Sequence, residues 1–584
     1  MFFLSLLYYK IKSMRVLLIS VFALAALLIS SCSGSEQNVE DLVAKGGKKY
    51  GGEFKFMSSE KIKTLFPTYN TDLYSNRIIS QIFEPILTIN PKTFDVSPGV
   101  AESWTVSDDA KVYTLKIRKG IKFHNDDCFS EEGHELNAED VKFTLDIACS
   151  GLKKNQISYL LINKIKGAKE FFEKSTTSLP KSGVSGVKII DDYTIEITLV
   201  NSFAGFESIL THGSLGVSPR EAFDKYGDDI EKHPVGSGPF QLATFENDKI
   251  ELIRNPNYWQ KDEFGNQLPF LGKITLTYSK DKKSELLAFR KEQIDMVLQL
   301  PVEEIEHILG SLQDAQDGKN VKHKVDSESS LSVMYIGMAC ESDEFKDARV
   351  RKAFNLAIDR NVIVDEWLEG EGWAATNGFV PTMNNYPNES VKGHTYNVQK
   401  AQSLMKEAGH ANGADFPALD FYVNALEGSA VHKFCKAVAS QLKANLNVTL
   451  NIKLCSLAER ENAIASGKAK IWRSGWIADY PDAENFLALF YTGRVKHNSS
   501  SMNSFNFHNA TFDQIYEQAL SESDSDKRAL LLAKCDQIVI DEAAVMPILT
   551  NDHIVMLNAR VRDFEANPME SINLTRVFIK EARK

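Results

Sequence analysis

The chain has no GxSxG elbow, no HExxH pair, no GxGxxG turn and no GxxxxGK followed by Ser or Thr. The local signatures of the common hydrolases, zinc peptidases, dinucleotide enzymes and P-loop NTPases are therefore missing. It lacks a basic excess as well: 67 Lys and Arg stand against 78 Asp and Glu, for a formal net charge of -11. Nucleic acid and anionic membrane surfaces reward clustered cations, so neither is expected as the main partner. Cysteine is sparse, at seven residues, with no CxxC pair and no Cys/His cluster at metal spacing. No metal and no cofactor are expected. The acidic loop "NDDCFSEEGHE", Asn125 to Glu135, lacks the alternating ligand spacing of an EF-hand and reads as a solvated surface loop.

What is present begins at the N-terminus. Lys10, Lys12 and Arg15 precede an uncharged run of 16 residues, Val16 to Ser31. A membrane span needs about 20 residues, so the run fits a signal-peptide core better than a permanent helix. Residues 1–31 are read as that signal peptide, and "LISSC" ends it at Cys32. Small residues followed by Cys resemble the lipobox of bacterial lipoproteins, which implies that Cys32 is acylated and becomes the mature N-terminus. Residues 32–51 are polar and Gly-rich, too poor in apolar side chains to fold, and are expected to form a tether.

The whole chain, 584 residues with 43% apolar content, exceeds one hydrophobic core and calls for roughly two to four domains. "YTLKIRKGIKF" (Tyr113 to Phe123) and "YTIEITLV" (Tyr193 to Val200) alternate as half-buried strands do. "NAEDVKFTLDIA" starts at Asn137, a good N-cap, with Glu139 and Asp140 in the first turn and Val141, Leu145 and Ala148 on one face, and reads as an amphipathic helix. Later come a strand, "VTLNIKL" (Val448 to Leu454), and helices at "DARVRKAFNLAID" and "NVQKAQSLMKEAG". This is a mixed α/β layout with no repeats and no clean linker, so lobes joined by crossing strands are expected.

The blocks "FEPIL", "PGVAESWTVSDDAKVYTLKIRKGIKFH", "LNAEDVKFTLD", "VGSGPFQL", "ELIRNPNYW", "DARVRKAFNLAIDRNVIV" and "GWIADYPDAENF" occur in that order. The set resembles the extracellular solute-binding proteins of family 5, the peptide/nickel type, which includes the oligopeptide- and dipeptide-binding lipoproteins of ABC transporters. The resemblance implies an α/β, two-lobe periplasmic-binding-protein-like fold with an extra inserted subdomain. Carried onto this chain, lobe one comprises 52–278 and 549–584, with the subdomain at about 91–205, and lobe two comprises 279–548. It implies a binding protein and not an enzyme, delivering a peptide to a permease and ATPase complex, anchored by lipid to a membrane facing the periplasm or exterior. A monomer is expected.

The same resemblance supplies site residues. In "RSGWIADYPD" the family's GWxxD aspartate, which pairs with a peptide ammonium, falls on Asp479. An Arg before the Gly-Trp pair, able to meet a peptide carboxylate, falls on Arg473, and Trp476 walls a side-chain pocket. Glu84 in "FEPIL" stands where the family often lines the cleft, with packing near the hinge as an equal alternative. Asp479 ordering a turn and Arg473 in an internal ion pair also stay open. Most members pass quickly from "FH" into the helix, whereas this chain inserts "NDDCFSEEGHEL"; a disulfide between Cys128 and Cys149 clamping that insertion is the expectation. The pairing of Cys340, Cys435, Cys455 and Cys535 is open. Rival functions are a same-fold receptor for a nickel chelate, haem or oligosaccharide, or a secreted hydrolase.

Overall fold

The computed structural model describes residues 43–90, 93–130, 133–203, 205–279, 281–298, 323–368, 372–383, 386–413, 415–492 and 502–580. The expected signal peptide and Cys32 lie outside them. No helix among the described residues is long and apolar enough to cross a membrane.

Two sheets organise the chain. The first has seven strands in the order His323–Ser329, Asp552–Asn558, Met296–Leu298, Glu53–Ser58, Lys273–Tyr278, Lys249–Arg254 and Phe240–Phe245. Glu53–Ser58 shows why such runs form strands: Phe54 and Phe56 are buried and alternate with Glu53, Lys55 and Met57, which are half-exposed. The second sheet has six strands, in the order Trp373–Ala374, Val545–Thr550, Ser332–Met338, Ile471–Ile477, Leu419–Asn424 and Leu450–Cys455. Apolar clusters pack on both of its faces, one around Trp472, Phe490 and Phe505, the other around Phe354, Phe421 and Phe434.

The two sheets share two strand-to-strand crossings. His323–Ser329 ends in the first sheet and Ser332–Met338 begins in the second, while Val545–Thr550 and Asp552–Asn558 make the return. The crossings touch, because the Ser330 N–H donates to the Asn551 carbonyl at 2.9 Å. The first lobe therefore extends past the expected boundary at 278, since Met296–Leu298 and His323–Ser329 both belong to its sheet. "HKVDSES" carries almost no apolar alternation, which is why its sheet membership was not legible.

A separate four-stranded sheet, Ala101–Val106, Val112–Ile117, Thr194–Thr198 and Val187–Asp191, falls inside the 91–205 stretch. Its strand Val112–Ile117 is shorter than the expected Tyr113 to Phe123, for the chain turns at Gly120, whose φ of 80° is left-handed. Helix Ala138–Ala148 packs beside it. The Asn137 side chain accepts the Glu139 N–H at 2.7 Å and Asp140 Oδ2 accepts the Asn137 N–H at 2.9 Å, closing a capping box. Val141, Leu145 and Ala148 are fully buried, and each larger one contributes about 1.5 to 3 kcal/mol.

The expected bridge between Cys128 and Cys149 is not formed: both are free thiols, as are Cys340, Cys435, Cys455 and Cys535. Cys149 is sealed at the helix C-terminus, its N–H bonded to the Leu145 carbonyl at 3.0 Å. Cys128 is held apart in the insertion, where its N–H donates to Asp126 Oδ1 at 2.8 Å and Tyr226 binds the same oxygen at 2.7 Å. Burial and the Asp126 carboxylate push the Cys128 thiol up to about 12, and burial raises Cys149 further.

Candidate ligand-binding cleft

Strand Ile471–Ile477 lies inside the second sheet, antiparallel to Ser332–Met338 and parallel to Leu419–Asn424. Past its end the chain turns through Asp479 and starts helix Ala483–Leu487, capped by Asp482, whose Oδ1 accepts the Glu484 N–H at 2.8 Å. Asn485 on that helix governs the loop. Its Oδ1 accepts both the Trp476 Nε1–H at 2.8 Å and the Asp479 N–H at 3.0 Å, and its Nδ2 donates to Asp479 Oδ2 at 3.2 Å. Two donors on Oδ1 and one acceptor beside Nδ2 fix the amide orientation. Trp476 and Asp479 are thus held by one buried residue.

Asp479 also meets the other lobe. The Tyr159 hydroxyl donates to its Oδ2 at 3.0 Å, and His212 Nε2 lies 3.6 Å from Oδ1. His212 Nδ1 accepts the Ser214 N–H at 3.0 Å, so the neutral ring carries its proton on Nε2, facing the carboxylate. The Asp479 side chain keeps 21% of its exposure. Around it the seam is tight. Tyr480 joins the apolar cluster of the inserted subdomain, and the Ser202 hydroxyl donates to the Ser521 carbonyl at 3.3 Å. Glu484, without exposed side-chain surface, accepts from Tyr480 and Tyr516 and lies 4.0 Å from Lys164 of the subdomain.

Arg473 is different. Its Nη2 lies 2.8 Å from Met334 Sδ, its Nε is buried without a hydrogen-bond partner, and no carboxylate pairs with it among the described residues. The internal ion pair left open by the sequence is absent there. Burial pulls the guanidinium below its ordinary value; neighbouring Arg460 adds to this, while Cys435, Tyr335 and Tyr74 on first-lobe helix Leu73–Ile82 oppose it.

Glu84 is 5% exposed, and both oxygens are engaged within its own lobe. Tyr258 donates to Oε1 at 2.8 Å, Trp259 Nε1 to Oε2 at 2.9 Å and Ser237 to Oε2 at 3.2 Å. Burial nevertheless pushes its carboxyl up to about 7. Of the two readings of Glu84, the geometry is that of packing.

Comparison with known protein families matches residues 95–498 to the bacterial extracellular solute-binding proteins, family 5 middle region. The chain belongs to family 5 of the extracellular solute-binding proteins. Haem-binding protein A of Haemophilus influenzae is 26% identical over 502 residues, covering 84% of this chain and 86% of its own. Oligopeptide-binding protein OppA of Bacillus subtilis is 28% identical over 527 residues, covering 86% and 90%. Among solved structures, the periplasmic binding protein DppA of Helicobacter pylori, in complex with the peptide STSA, superposes with a TM-score of 0.79 at 22% identity. It covers 92% of this chain and 100% of that one. The two-lobe fold is therefore that of this family, whose members bind solutes outside the cytoplasm.

For a family 5 solute-binding protein the residues that sequence reading missed are Tyr159, His212 and Asn485. Tyr159 and His212 reach Asp479 from the opposite lobe, hundreds of positions earlier, so no local spacing marks them. Asn485 was detectable in principle, since an Asn six residues after the Asp on a short helix is a candidate loop anchor.

Proposed function

We propose that this chain is the lipid-anchored receptor of an ABC importer and captures peptides, oligopeptides foremost, by closing its two lobes on them. The observation that carries the reading is the position of Asp479: one carboxylate, bonded from the second lobe by Asn485 and from the first by Tyr159, with Oδ1 still lacking a hydrogen bond of normal length. A peptide ammonium delivers three donors and a charge to that oxygen. Arg473, a half-buried cation with no carboxylate of its own, suits the opposite terminus. Recognition of two termini with main-chain hydrogen bonds between them reads length more than sequence.

The proposal includes acylation of Cys32, monomeric action and handover to a permease and ATPase pair. Native mass spectrometry of the purified protein tests the ligand: co-purified masses that fragment as peptides support it, whereas a haem or sugar mass overturns it. Haem is the second reading, supported by the likeness to haem-binding protein A. Membrane-fraction labelling with a palmitate analogue tests the anchor, and label persisting in Cys32→Ser sinks that part.

A further inference from the structure

The insertion that sets this chain apart carries His134 near its end, and the ring of this residue is packed against aromatic neighbours. It stacks on Phe129 at 4.5 Å between centroids with 10° between planes, and less closely on Phe123 at 6.1 Å. The loop backbone is tied down too, since the Phe123 N–H donates to the His134 carbonyl at 3.0 Å. Among the described residues neither ring nitrogen has a hydrogen-bond partner. The ring stands instead beside Asp140 from the first turn of helix Ala138–Ala148 and Glu221 from helix Arg220–Tyr226.

One ligand atom from each of these three residues lies within 4.8 Å of the other two. Some point among them is therefore within about 2.8 Å of all three, and small side-chain rotations bring this to the 2.0 to 2.2 Å of zinc bonds to imidazole and carboxylate. Asp140 is 5% exposed. Its Oδ2 accepts only the Asn137 N–H at 2.9 Å, and no Lys or Arg pairs with it among the described residues. Buried carboxylates are ordinarily paired or bound to metal. Here the neighbouring charges are Glu221 and Glu139, both of which add to the strain of burying it.

We infer that His134, Asp140 and Glu221 form a binding site for a divalent transition-metal ion of the zinc class, pinning the insertion to helices Ala138–Ala148 and Arg220–Tyr226. One nitrogen and two carboxylate ligands suit zinc and disfavour calcium or magnesium, which take oxygen donors throughout. His134 and Asp140 stand close together in sequence but Glu221 comes from a distant helix, which is why no motif spacing announced the set. A structural role follows from position. Tyr226, further along the helix that carries Glu221, already ties the loop through Asp126 at 2.7 Å, and the ion adds a second tie where the free thiols of Cys128 and Cys149 provide none.

The test uses the full mature chain, stripped with chelator and titrated with zinc against a chromophoric competitor, with cobalt(II) absorption as a second readout. One zinc per chain is expected, with a rise in Tm on binding. His134→Ala and Glu221→Gln, both at surface-accessible positions that leave the capping box intact, should each weaken zinc at least tenfold, abolish the cobalt band and cancel the Tm rise. Excess calcium should leave the cobalt band unchanged. Absence of zinc binding at micromolar concentration, unchanged affinity in both variants, or displacement of cobalt by calcium overturns the site. Peptide affinity, measured alongside, stays at the parental value in both variants, which separates this result from the fate of the transport reading.

Discussion

Asp479 and Glu84 are both carboxylates taken from family positions, yet their surroundings are opposites. Glu84 is wrapped by three donors from its own lobe, with both oxygens engaged and almost no exposure. Asp479 sits where two lobes meet, accepts from each, and retains one oxygen without a close partner. A buried acid with every acceptor filled organises a fold, because any newcomer has to break an existing bond. An acid that is partly solvated and shared across a seam has capacity left, and its occupancy is coupled to whether the lobes are together. Free acceptor capacity separates the two better than conserved-looking sequence context does.

The largest effect expected from breaking this contrast is on binding. Asp479→Ala should cost about 3 to 5 kcal/mol of peptide affinity, a loss of at least a hundredfold. Tm without ligand should change little, because Asn485 still accepts from Trp476. Calorimetry with a free tripeptide and its N-acetylated form checks the assignment: acetylation should hurt the parent badly and the variant much less. Equal penalties in both proteins assign Asp479 to the loop's structure.

Glu84 should show the reverse, an effect on stability alone. Its folded value near 7 lies above the ordinary carboxyl value of 4.5. Its stabilisation is therefore fully present below about pH 4.5 and lost as pH rises through 7, a change on the order of 3 kcal/mol. His553 runs the other way: burial pulls it to about 4, so its contribution is present above about 6.5 and lost as pH falls. Comparing the parent with Glu84→Gln, which does not titrate, isolates the Glu84 part. The parent should lose Tm relative to the variant between pH 5 and 8 with peptide affinity equal in both. A flat difference removes the assigned titration.

Arg473 sharpens the comparison from the cationic side. Hydrogen bonds to charged groups contribute about 1.5 to 3 kcal/mol, so Arg473→Ala should weaken a free tripeptide roughly tenfold to a hundredfold, and C-amidation should then add little. Its Nε has no partner to lose, so Tm should stay at or above the parental value. A fall in Tm with unchanged affinity makes Arg473 a packing residue.

The sequence reached the fold class because strand alternation, N-caps and ordered family blocks are local signals. Asn137, Val141 and Leu145 behave in the structure as their spacing requires. The lobe boundary near 278 failed for a physical reason: "HKVDSES" is an edge strand with little apolar content, held by backbone pairing with Asp552–Asn558. The Cys128 and Cys149 pairing failed because closeness in sequence says nothing about which way a thiol is turned. Tyr159 and His212 were illegible because their relation to Asp479 exists only after lobe one and lobe two are placed together.

The smallest effect concerns Trp476, whose ring packs partly against the second-lobe core while its Nε1–H donates to Asn485 at 2.8 Å. Phe retains most of the aromatic wall and removes that donor, so Trp476→Phe isolates the hydrogen bond from the surface. Asn485 Oδ1 keeps the Asp479 N–H, and the loss is then one of two bonds to a single oxygen, about 1 kcal/mol. Peptide affinity should fall by roughly a factor of five, with the sensitivity to N-acetylation preserved because Asp479 is still in place. If the variant instead loses that sensitivity, Trp476 positions the carboxylate through Asn485, and the loop acts as one unit. If affinity falls a hundredfold while acetylation still matters, the indole itself contacts the ligand.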